Sequence, residues 1–135
     1  MTQNDKDIVF KAFTAKAVQR LKDKKTRKTE TLYVPSLDEN IKIQSLIYPE
    51  IVECIEMENE GDPNRADKYS IYLAIVEPDL KKVAAELKEG GEIRENLEIV
   101  DIFEMSEISD IAMEVMKLSG VSGARKVTVV EELKN

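Results

Sequence analysis

The chain has 135 residues, of which 42% are hydrophobic and 35% charged, with a net charge of -7. That size and composition fit one globular domain with a single core, and the negative charge disfavours general attraction to nucleic-acid phosphates or anionic lipid. With no histidine and one cysteine, Cys54, the sequence excludes Ser/His and Cys/His nucleophile pairs and any intramolecular disulfide.

The opening, MTQNDKDIVFKAF, lacks the apolar core of a secretory signal, and no run approaches the length of a membrane span, so a cytosolic protein without membrane contact is expected. Residues 7–25, DIVFKAFTAKAVQRLKDKK, space Val9, Phe13, Ala17 and Leu21 four apart, which predicts a helix with one apolar stripe. From Lys16 to Glu30, seven basic residues (Lys16, Arg20, Lys22, Lys24, Lys25, Arg27, Lys28) stand against Asp23 and Glu30. This basic arm has the opposite sign to the whole chain.

In TLYVPSLDENIKIQ the pattern changes to period two: Leu32 and Val34 alternate with Thr31 and Tyr33, and Ile41 and Ile43 with Lys42 and Gln44. A β-hairpin near residues 31–44 follows, with Pro35 ending its first strand and Asp38 and Asn40 suited to the turn. An isolated hairpin is marginal in water. It must therefore lie on helices, as a brace for a core poor in aromatics, or pair with another chain.

The remainder predicts helices. Pro49 suits a first turn, with Ile51, Val52 and Ile55 as a narrow apolar stripe. Asp62-Pro63 marks another start, followed by Tyr69, Tyr72, Leu73 and Val76 at helical spacing. After Pro78 come Leu80, Val83, Ala84 and Leu87, stopped by Gly90 and Gly91. Asn96 is placed to cap a shorter helix carrying Leu97, Val100 and Phe103, and Ser106 to cap the last. That last helix carries Ile108, Ile111, Ala112, Val115 and Leu118, and Gly120 ends it. The fold class is mainly α, a small helical domain with one β-hairpin. Its organisation is an N-terminal helix and basic arm (1–30), a core (31–120) and a flexible C-terminal tail (121–135).

Few residues carry chemistry. The acidic group Glu50, Glu53, Glu56, Glu58, Glu60 and Asp62 lacks the pattern of a calcium loop and reads as a solvated helix face. Cys54 has no basic neighbour in sequence to stabilise a thiolate and reads as structural. GDPNR and KEGGE carry no phosphate-binding fingerprint. No catalytic, cofactor-binding or metal residue is expected, and the chain is not expected to be an enzyme. The tail segment VTVV is either a disordered end or a strand added to a partner's sheet, so Val127, Val129, Val130 and Leu133 are the candidate partner-binding residues.

The order of these elements, with VPSLDENIKIQSL, VEPDL and EISDIAMEVMKLSG, resembles the XkdN-like tail assembly chaperones of tailed phages and prophages over residues 30–120. Where that family's turn after Pro-Ser-Leu carries glycine, Asp38, Glu39 and Asn40 stand here. The resemblance implies a helical protein of the host cytoplasm that binds the tape measure protein during tail morphogenesis and is absent from the mature virion. It further implies contact with other tail proteins and a longer frameshifted form as options, while the oligomeric state, a homo-oligomer included, is left open by the residues. The alternative reading is a small DNA-binding regulator using the basic arm at residues 16–28, although no aromatic is interleaved there for base stacking.

Overall fold

The alternation in residues 31–44 folds as the expected hairpin in the computed structural model, which describes residues 2–59, 62, 64–121 and 127–130. Strand β1 (Thr29–Val34) pairs antiparallel with β2 (Glu39–Gln44), setting Leu32 opposite Ile41. Leu32, Val34, Ile41 and Ile43 share one face of this ladder. Val34, Ile41 and Ile43 are buried and Leu32 packs at their margin. The turn begins at Pro35, and Asp38 takes a positive φ of 50°. Aspartate tolerates this left-handed conformation better than most side chains, so it can stand where glycine would be easiest.

Besides the hairpin, the described residues form five α-helices and a third strand: α1 (Gln3–Lys25), α2 (Tyr48–Glu56), α3 (Arg65–Ala74), β3 (Ile75–Glu77), α4 (Leu80–Glu89) and α5 (Met105–Leu118). Short 3-10 segments lie at Met57–Asn59 and Asn96–Ile102. The sheet order is β1-β2-β3, which leaves β1 on an edge. Helices α3 and α5 pack together and against the hairpin, α2 lies on α3, and α4 lies on the second 3-10 segment. Ile43, Ile71, Ile99, Val34, Val100 and Val115 are the largest fully buried apolar side chains. Each such burial stabilises the fold by about 1.5–3 kcal/mol. The hairpin is thus a brace that closes the helical core.

Two helices end as their glycines predict. Gly91 and Gly120 both adopt φ 79°. The Glu92 N–H donates to the Leu87 carbonyl and the Gly91 N–H to that of Lys88; Val121 and Gly120 donate likewise to Met116 and Lys117. This paired closure satisfies the last carbonyls of α4 and α5, and a Cβ at its left-handed position is disfavoured.

Several expectations are corrected. Helix α1 starts at Gln3 rather than near residue 7, because Thr2 and Asp5 cap it reciprocally: the Asp5 N–H donates to Thr2 Oγ1 (3.1 Å) and the Thr2 N–H to Asp5 Oδ2 (3.2 Å). Val76 belongs to β3, not to a helix, since the chain leaves α3 at Ala74 and pairs at once with β2. The buried face of α3 is accordingly Ser70, Ile71 and Ala74, flanked by Tyr69, Tyr72 and Leu73. On α2, Ile51 packs against the core as expected, but in the following turn Cys54 is buried and Ile55 is exposed. Asn96 opens a 3-10 segment instead of capping an α-helix, and α5 is preceded by Glu104, whose N–H donates to Glu107 Oε1 (2.9 Å), rather than by Ser106.

Candidate functional site

The N-terminal helix stands apart from the core. None of the residues of α1 is buried. Phe10 and Phe13 are 71% and 72% exposed, and Ile8, Val9, Val18 and Leu21 are exposed with them. The row Val9, Phe13, Ala17, Leu21 exists as predicted but covers no core. The helix holds itself with local bonds, among them Gln19 Nε2 to Asp23 Oδ1 (2.9 Å).

Its root, by contrast, is fastened. Thr26 ends the helix in extended conformation. The Arg27 guanidinium donates from Nη1 to the Ser45 carbonyl (3.0 Å) and to Glu50 Oε1 (2.7 Å), and the Lys28 N–H donates to Ser45 Oγ (2.8 Å). Glu50 also accepts the Ile47 N–H at the start of α2 (2.9 Å). Burial works to raise its pKa, but Arg27 and the Ile47 N–H outweigh that and hold the carboxyl below the usual range. One cation of the basic arm is therefore committed to structure, as is one member of the supposedly solvated acidic group. Glu53 is another, accepting the Tyr69 hydroxyl at 2.7 Å. Glu60 lies outside the described residues.

A second feature is a groove of about 170 Å³ between β1 and α5. Leu32, Val34 and Ile111 form its floor; Tyr33, Glu107, Asp110 and Glu114 form its rim. Its turn end is held because Glu107 accepts the Ser36 hydroxyl at 2.5 Å through Oε1 and the Ser36 N–H at 3.0 Å through Oε2. Those bonds, the hydroxyl's first, lower the pKa of Glu107. The spacing Glu107, Asp110, Glu114 puts three carboxylates along one flank of α5, a signal legible in the sequence but not singled out there. A larger cleft of about 450 Å³ lies near the hairpin turn, between Leu37, Ile41, Leu80 and Phe103, with Glu39 and Glu77 at its edge.

Neither depression brings a nucleophile and a base together. Cys54 lines neither, and burial, with Glu50 and Glu53 adding to it, pushes its thiol up to about 11. The Glu53 bond likewise pushes Tyr69 up to about 12. Both stay protonated near neutral pH. Among the described residues no group of acids and cysteine is arranged to hold a metal ion, and no helix is long and apolar enough to cross a membrane.

Of the predicted partner-binding residues, Val127, Val129 and Val130 are exposed, and the structure assigns no strand to residues 127–130. Leu133 lies outside the described residues, as do positions 122–126 and the rest of the tail beyond 130. Compared with family models, with curated proteins and with solved structures, the chain matches none.

Proposed function

We propose that this protein is a phage or prophage tail assembly chaperone that acts in the host cytoplasm, binding the tape measure protein and making or breaking no covalent bond. The observation that carries the reading is the apolar surface left over by a closed core: Phe10, Phe13 and Leu21 on α1, and Val127, Val129 and Val130 near the C-terminus, all stand in water. Exposed apolar rows rimmed by charge suit the capture of a long, helical, aggregation-prone polypeptide, and the acidic body keeps the complex soluble. The test is co-expression with a tape measure protein from the same genome. The tape measure protein moves into the soluble fraction and co-purifies, and a Phe10→Ser/Phe13→Ser variant retains less of it. An unchanged insoluble fraction with no co-purification overturns the reading.

The exposed cations of α1 (Lys16, Arg20, Lys22, Lys24 and Lys25) support the DNA-binding regulator as a second reading. Arg27 does not, because Glu50 and Ser45 already hold it. Tight binding to duplex DNA that collapses with added salt would favour this reading over the chaperone.

A further inference from the structure

The two features described above have complementary chemistry. Helix α1 carries seven basic and three acidic residues in a chain whose net charge is -7. Lys16, Arg20 and Lys24 recur every fourth residue, each three positions beyond Phe13, Ala17 and Leu21 respectively, so a cationic row runs beside the apolar one. At 1.5 Å per residue this row spans about 12 Å. The acidic rim of the groove, Glu107 to Glu114, spans about 10 Å on the same measure. Apolar floor, acidic rim and length all match what α1 presents. Asp110, exposed at the middle of the rim, makes no ion pair among the described residues.

We infer that α1 of one copy docks in the β1/α5 groove of a second copy, its Phe13 and Leu21 over Leu32 and Ile111 and its cationic row along Glu107, Asp110 and Glu114.

The donor is a second copy because each chain's own α1 is directed elsewhere. Only Thr26, Arg27 and Lys28 join α1 to β1, and each is bonded where it stands: Thr26 to the Asp23 carbonyl, Arg27 to Ser45 and Glu50, Lys28 to Ser45. That root lies beside residue 45, at the open end of the hairpin, whereas the groove runs to Pro35 at the turn. A chain reaches its own groove only by giving up those bonds. The contact joins two different patches, so it assembles copies head to tail or as a reciprocal exchange. It rests on charge and shape and not on the chaperone reading.

Sedimentation velocity on the full chain tests this. In about 50 mM salt the mass rises above that of a monomer as concentration increases to about 100 μM, and in about 500 mM salt it falls back, since exposed charges are then screened. The variants Arg20→Glu/Lys24→Glu and Asp110→Lys/Glu114→Lys each associate at least about ten-fold more weakly than the parent. Mixed in equal amounts they associate again, because the reversed helix now meets the reversed groove. Circular dichroism checks that each is folded; if either is not, Arg20→Gln and Asp110→Asn give the same readout with a smaller shift. A wild-type chain that remains monomeric at low salt, or association indifferent to these changes, overturns the inference and leaves the tape measure experiment unaffected.

Discussion

Helix α1 has 23 residues and buries none, whereas α5 has 14 and buries Ile108, Ile111, Ala112 and Val115. Both contain an apolar row at helical spacing. The difference lies in what else each carries. In α5 the apolar residues that join the core concentrate on one side, while Ser109, Asp110 and Met113 face water. In α1, Ile8, Val9, Phe10, Phe13, Val18 and Leu21 are distributed around the axis, because neighbouring residues are separated by about 100°. An apolar row is thus necessary for docking on a core and not sufficient: the face must be exclusive. A helix with apolar groups on every side and charges between them has no single face to bury, and it stands clear of the core with its row available.

The largest effect is expected at α5. Replacing Ile108 by Ala removes buried atoms between α5 and its neighbours and leaves a cavity, so denaturant unfolding should show a loss of about 3 kcal/mol. A loss too small to measure would mean that α5 does not hold the core.

A smaller effect is expected where α5 meets the hairpin turn. Glu107 is held below its ordinary value of 4.5 by Ser36, so the unfolded state takes up protons first as pH falls. The stabilisation from this carboxylate is complete above 4.5 and disappears as acid titrates the folded group. Ser36→Ala removes the hydroxyl bond, raises the Glu107 pKa towards its ordinary value and lessens this part of the acid dependence, which NMR titration of Glu107 would follow. An unmoved titration curve would show that the turn is not coupled to α5 through this pair.

The smallest effect on stability belongs to α1. Phe13→Ser should leave the free energy of unfolding within about 0.5 kcal/mol of the parent, since the side chain touches no core. The same change should weaken whatever partner α1 holds, so a stability loss like that of Ile108→Ala would place α1 against the core after all.

The hairpin, the glycine-closed ends of α4 and α5 and the buried face of α5 were legible because each is written in neighbouring residues. Pro35 stops a strand, Gly120 closes a helix, and alternation at Ile41 and Ile43 needs no distant partner to be seen. A local pattern misleads where it has two meanings. Tyr69, Tyr72, Leu73 and Val76 fit a helix, yet Val76 lies in β3 because the β2 edge offers hydrogen bonds at that point. Of the candidate partner residues, Val127, Val129 and Val130 are exposed and Leu133 lies outside the described residues. The exposed row of α1 and the carboxylates at 107, 110 and 114, by contrast, were visible only as spacing, without a hint that the three acids would rim a groove.

The amino-acid order alone determined a mainly helical chain with one hairpin, its glycine stops and its opposed charges, since those follow from backbone preference and periodicity within a few residues. Only the tertiary structure decided that Ile75–Glu77 would join the sheet, that Ser36 would clasp Glu107 from 71 positions away, and that α1 would stand outside the core. These outcomes depend on which surfaces meet after the chain collapses, and a hydrogen bond or buried contact between distant residues leaves no periodic trace in either segment.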